Sequence, residues 1–211
     1  MTIAFTIGSL ALGLIIGLFV AICGLSRFML LRGMARAYVD IIRGTPLLLQ
    51  LFILYYAFPS LGLKMTAITA GVLGLAINAA AYLAEIFRAG IQAVPRAHVQ
   101  AARSLGMSSL QTLVRIELPQ AVALVLPPFA NEVISLVKST SLISTIAIGE
   151  LLRSGQIAVS VTFAPLEIYT AVAILYLGLN LILSALVRYL ENRTGAHGRK
   201  EASRSLQDVG V

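Results

Sequence analysis

Three ionisable side chains fall inside otherwise apolar stretches of this chain: Glu85, Glu132 and Lys138. Charge is expensive to keep in such surroundings, so each is a candidate for function. Glu85 and Arg88 stand three residues apart on one helical face, the spacing of a structural ion pair. Glu132 follows Asn131 deep in an apolar run. A carboxylate there can hold the ammonium of a zwitterionic or cationic solute such as an amino acid, and the neighbouring amide can orient it. The competing reading pairs Glu132 with Lys138 or with another subunit. Lys138, Thr140 and Ser141 together can interrupt a helix and turn backbone groups toward a cavity. Asn78, midway along another apolar run, is expected to bond between helices.

Bond-making chemistry finds no support. There is no G-x-x-x-x-G-K-[ST] loop to cradle a nucleotide phosphate, and neither His98 nor His197 belongs to an H-E-x-x-H pair. No G-x-S-x-G elbow presents a nucleophile. Cys23 is the single cysteine, which excludes an intrachain disulfide and a cysteine metal cluster. Its VAIC context has Ile22 where a lipoprotein cleavage box wants a small residue, so Cys23 is read as unmodified. The chain is expected to be neither an enzyme nor a metal binder.

Composition says what must position these residues. Of 211 residues, 58% are hydrophobic and 12% charged, against about a quarter charged in a soluble domain. That is too little polar surface for a water-soluble globule, so an all-α polytopic membrane protein is the fold class expected. With about 20 helical residues needed per crossing, about five spans are expected, roughly 3–25, 46–58, 66–87, 119–140 and 166–187. SRFMLLRGMARAYVDIIRG, after the first run, reads as an amphipathic surface helix. Thr45-Pro46 reads as a helix start, and Glu150 to Pro165 as an irregular, more polar interval.

The formal net charge of +7 is a topology signal. The segment after the first span, the segment after the third and the tail beyond Arg188 are all basic, while the other side holds Lys64 and Arg153. The positive-inside rule then places the N-terminus outside and the C-terminus in the cytoplasm, and nucleic acid is not an expected partner. One membrane domain over 1–195 and a polar cytoplasmic tail over 196–211 are predicted, without internal repeats.

The segment 94–118 is too polar to cross and too patterned to be slack. Pro95 suits a first helical turn, and Val94, His98, Ala101, Ala102 and Leu105 share a face at helical spacing. Gly106 falls where a left-handed residue ends a helix. Ser108 and Gln111 match a capping box that starts another. The small side chains suit a groove in a partner, or equally a connector folded against its own protein.

VPRAHVQAARSLGMSSLQTLVRIELPQA resembles the EAA loop of bacterial ATP-binding-cassette importer permeases. YVDIIRGTPLLLQLFILYYAFP, AAYLAEIFRAGIQAVP and LPPFANEVISLVKSTSLISTIAIGEL extend the resemblance over nearly the whole chain, to the polar amino-acid permease branch. It implies the type I permease fold in the bacterial cytoplasmic membrane, with 94–118 as a coupling helix-turn-helix. Gln100, Ala101, Ala102, Leu105 and Gly106 would seat on an ATPase subunit. It also makes Asn131, Glu132, Lys138, Thr140 and Ser141 the expected substrate pathway. Implied partners are a second permease subunit (identical or related), two ATPase subunits that carry ATP and magnesium, an external solute-binding protein, an amino-acid substrate and membrane lipid; no cofactor belongs to this chain. Two departures stand out: Gln100 replaces the family glutamate, and Ser139 stands where many relatives have aspartate. An ion-coupled secondary transporter and a non-transporting scaffold are the alternatives. The branch's importers for histidine, arginine, lysine, glutamine, glutamate, cystine and opines share one framework, so the residues leave the substrate and the permease pairing open.

Overall fold

A computed structural model describes residues 1–193 of the chain; the predicted tail over 196–211 lies outside the described residues. The described residues are helical almost throughout and contain no strand. In chain order the helices are α1 (Thr2–Leu25), α2 (Met29–Gly44), α3 (Leu47–Phe52), α4 (Ala67–Gln92), α5 (Arg96–Ser104), α6 (Ser109–Thr112), α7 (Leu118–Ser139), α8 (Leu151–Thr162) and α9 (Pro165–Arg193). α3 runs on through a π turn, Ile53–Ala57, and a 3₁₀ turn, Phe58–Leu61. Among the described residues, four helical runs are long and apolar enough to cross a membrane: Thr2–Leu25, Ala67–Gln92, Ser109–Ile146 and Pro165–Tyr189. A further pair, Met29–Gly44 and Leu47–Leu61, meets at 102° and has the length and apolar character of one broken span or a re-entrant loop.

The centre of the bundle is α1 against α4, running in the same direction. The buried face of α1 is a column of small and hydroxyl residues, Thr6, Ser9, Gly13, Gly17 and Ala21, and α4 answers with Ala76, Ala79, Ala80 and Ala84. Apolar side chains gain nothing by leaving lipid for another helix. What brings membrane helices together is close backbone approach, which small residues allow. A Cβ on Gly13 would stand 3.2 Å from the Ala76 carbonyl oxygen. α7 returns antiparallel across α4, where a Cβ on Gly90 would overlap Val125.

The spans extend beyond the sequence expectation where local bonding permits. Pro119 was expected to open the fourth crossing, but the helical run starts at Ser109 and continues through it. Immediately before the proline the backbone widens into a π turn, Leu113–Glu117, with the Leu118 N–H donating to Leu113 O. That wider turn accommodates a residue lacking its own donor.

The interval from Glu150 to Pro165 is not irregular: α8 fills most of it. Glu150, only 2% exposed, caps α8, its carboxylate accepting from Leu152 N at 2.9 Å and Arg153 N at 2.6 Å. The Tyr176 hydroxyl of α9 donates to the same carboxylate at 2.7 Å, and Leu151 N donates to Thr2 Oγ1 at 3.2 Å. One side chain thus ties the head of α8 to α9, beside the start of α1. Glu150→Ala is expected to cost about 2 kcal/mol, from a lost cap and a stranded buried hydroxyl. The thermal midpoint of the purified protein should fall clearly, and Glu150→Gln should recover part of it.

Candidate functional site

The bend between α2 and α3 is where polar groups gather. Pro46 lacks an N–H and holds Thr45 extended at φ −119°, ψ 145°, which ends α2. The freed carbonyls find side chains: Thr45 Oγ1 donates to Ile41 O at 2.8 Å, and Gln50 Nε2 donates to Ile42 O at 2.8 Å and Thr45 O at 3.2 Å. Asn78 of α4 donates to Gln50 Oε1 at 3.1 Å, the interhelical bond expected of it. Tyr38 donates its hydroxyl to Ile77 O at 2.7 Å. The bend is therefore clamped to the middle of α4.

Beside the clamp, the Arg43 guanidinium lies 5.1 Å from the centre of the Tyr82 ring. Its charge acts on both Glu85 and Glu132. Glu85 and Arg88 form a bidentate ion pair, with Arg88 Nε donating to Glu85 Oε2 at 3.0 Å. Arg88 also donates to Gln92 Oε1 at 2.6 Å. Arg36, Asp40, Arg43, Glu85 and Arg88 line a pocket of about 260 Å³ between α1, α2 and α4.

Glu132 is half-buried and, among the described residues, has neither a hydrogen bond nor an ion pair; Lys138 does not reach it. Asn131 and Lys138 are exposed. α7 ends at Ser139 and tightens into a 3₁₀ run, Thr140–Ile146. Within it each hydroxyl turns to nearby backbone: Thr140 to Val137 O, Ser141 to Lys138 O and Ser144 to Ser141 O at 2.7 Å, and Thr145 to Leu142 O at 2.6 Å. The five pathway candidates are strung along α7 and the turn after it, with Thr140 buried, rather than gathered into a nest. Arg43, Gln50 and Tyr82 are the groups sequence reasoning passed over. The signal was present, since Arg43 stands three residues before the proline at the bend. Reading α2 as a surface segment gave no reason to look for the bend that brings Arg43 beside Tyr82.

The 94–118 segment folds as two helices around Gly106, whose φ of +80° closes α5. Gly106 N donates to Arg103 O and Met107 N to Ala102 O. The capping box is present, with Gln111 N donating to Ser108 Oγ at 3.3 Å and Ser108 N to Gln111 Oε1 at 2.9 Å. His98 Nδ1 lies 2.8 Å from Gln120 Oε1, fastening α5 to the first turn of α7. The shared face divides: Val94 and Ala102 are buried, whereas His98, Gln100, Ala101 and Leu105 are exposed. At the turn Leu105 is 84% and Leu110 69% exposed, an apolar knob that the described residues leave uncovered.

Comparison with known proteins places these features in a lineage. Residues 13–196 match the family model described as the binding-protein-dependent transport system inner membrane component. The chain is 38% identical over 192 residues to the probable amino-acid ABC transporter permease protein YckA of Bacillus subtilis, covering 91% of this chain and 85% of that protein. It is 36% identical over 195 residues to the glutamine transport system permease protein GlnP of Escherichia coli, covering 92% and 89%. A crystal structure of an amino acid ABC transporter with histidines superposes with a TM-score of 0.88 at 39% identity, covering 92% of this chain and 90% of that one.

Proposed function

This chain belongs to the binding-protein-dependent transport system inner-membrane components, as a permease subunit of the amino-acid ABC importer branch, and from that premise we propose how it works. It is a multi-pass membrane subunit of the type I permease fold. It carries a polar amino acid or related compound into the cytoplasm, received from an external solute-binding protein. The N-terminus lies outside and the 94–118 turn faces the cytoplasm, in accord with the arginines around it. A second permease subunit and two ATPase subunits complete the transporter, and the ATPases hold ATP and magnesium.

The observation that carries this reading is the exposed knob of Leu105 and Leu110 on a turn fixed by Gly106 and the Ser108–Gln111 box. A flexible loop would absorb a push. This one transmits it, because the helical run from Ser109 to Ile146 is continuous and His98 braces α5 to that run. Closure of the ATPase pair shifts the knob, and the wall bearing Glu132 moves with it, opening the path alternately to either side. Glu132 holds the substrate ammonium, and Arg43, on the facing bend, balances its carboxylate.

Disulfide crosslinking tests the docking. Leu105→Cys in a Cys23→Ser background should crosslink to a cysteine-bearing ATPase subunit, with a yield that changes on adding ATP. Absence of that crosslink in a transport-competent complex overturns the reading. Glu132→Gln should lower uptake about tenfold, the worth of one charge-assisted bond, while leaving ATP hydrolysis stimulated by the loaded binding protein. Unchanged uptake removes Glu132 from the path.

A further inference from the structure

α2 does more than lead into the bend. α1 has 24 residues, about 36 Å of helix, enough to cross a hydrocarbon layer of about 30 Å. Its end at Leu25 therefore marks one membrane face. A Cβ on Gly24 would stand 3.7 Å from Arg88 Cδ and 3.9 Å from Ala35 Cβ, which sets the first half of α2 at that face.

Around α2 the residues sort into three strips. Ala35 and Val39 pack inward. Met29 and Leu30, 81% and 75% exposed, border with Gly33, Met34 and Ala37 an open apolar hollow of about 640 Å³. Between these strips run Arg32, Arg36 and Asp40 at helical spacing. Among the described residues the side chains of Arg32 and Arg36 have neither a hydrogen bond nor an ion pair, and neither does Asp40. Arg27 adds a further cation, 5.4 Å from the Phe28 ring centre. Arg88, in contrast, is engaged by Glu85 and Gln92.

We propose that this strip and the hollow beside it bind an anionic phospholipid, its phosphate on Arg32 and Arg36 and its acyl chains along Met29, Leu30 and Met34. Arginine pairs with phosphate through parallel N–H bonds, and basic positions beside an apolar helix face at the membrane surface are the chemistry that recognises such headgroups. One carboxylate, Asp40, against Arg27, Arg32 and Arg36 leaves a positive excess that an anionic headgroup matches and phosphatidylcholine does not. A second copy of the same face fits poorly, since a two-fold contact sets arginine against arginine.

Electron paramagnetic resonance on the intact transporter in vesicles tests this with spin-labelled phosphatidylglycerol and spin-labelled phosphatidylcholine. The wild type should immobilise phosphatidylglycerol preferentially. Arg32→Gln with Arg36→Gln should lower that preference roughly twenty-fivefold, at about fivefold for each charge. Arg32→Lys with Arg36→Lys should keep most of it, showing a folded complex. Arg188→Gln, on an exposed arginine of α9, should leave it unchanged. Equal immobilisation of both lipids by the wild type, or a glutamine double variant with wild-type preference, overturns the proposal. So does a preference shown by the isolated subunit that vanishes in the assembled transporter, because another subunit then covers α2. None of these outcomes depends on ATP-coupled uptake, so the proposed transport reading stands or falls separately.

Discussion

Gly106→Val should abolish amino-acid uptake, a loss of more than about tenfold, while the variant reaches the membrane in normal amount. A Cβ at Gly106 meets nothing within 4 Å, so steric conflict is not the cause. The cost lies in φ, which at +80° is a conformation a β-branched residue resists. Such backbone strain is worth about 1–3 kcal/mol. It is relieved locally, by letting the α5–α6 turn open and the Leu105–Leu110 knob drift. Stimulated ATP hydrolysis should fall with uptake. Gly62 provides the control, with φ +82° and open space around it. It closes the 3₁₀ turn Phe58–Leu61, far along the chain from the knob. Gly62→Val carries a similar backbone penalty and should retain coupling. If both variants lose uptake alike, the effect belongs to general stability and the coupling role of Gly106 is wrong.

Gly17→Leu should prevent accumulation of folded protein. A Cβ there would stand 3.0 Å from the Ala80 carbonyl oxygen and 3.0 Å from Leu83 Cβ. The first of these is backbone and cannot rotate away, so α1 and α4 must separate along the contact on which the bundle is built. Overpacking a membrane or soluble core typically costs about 1–3 kcal/mol, and a wedge against backbone belongs at the upper end or beyond. Quantitative immunoblotting of membranes and the thermal midpoint of purified protein read the result. Gly8→Leu, on the same helix with nothing within 4 Å of its Cβ, should accumulate normally. Equal loss in the two variants would show that leucine in α1 is harmful irrespective of the α4 contact.

Much of this was legible in the residues, and the boundary is physical. The apolar runs announce crossings because bilayer thickness imposes a length. The Gly106 turn and the Ser108–Gln111 box were readable because each is settled by residues a few positions apart. Asn78 could be assigned an interhelical bond from cost alone, although its partner, Gln50, could not be named. What escaped depends on distant partners. Glu150 looks like an ordinary exposed acid until Tyr176 and the head of α8 surround it. The face expected on α5 was correct in spacing yet split in fact, because only Val94 and Ala102 meet the bundle. Pro119 signalled a helix start by rule, and the π turn before it let the helix pass. Arg43 was assigned to a surface segment, and only the bend at Pro46 brings it beside Tyr82.

The 3₁₀ run after Ser139 is closed upon itself. Thr140, Ser141, Ser144 and Thr145 have already given their hydroxyl protons to backbone oxygens. A hydroxyl so engaged keeps acceptor lone pairs and has no proton left to donate. Thr140 and Ser144 are buried, so their spent protons fasten the turn to itself.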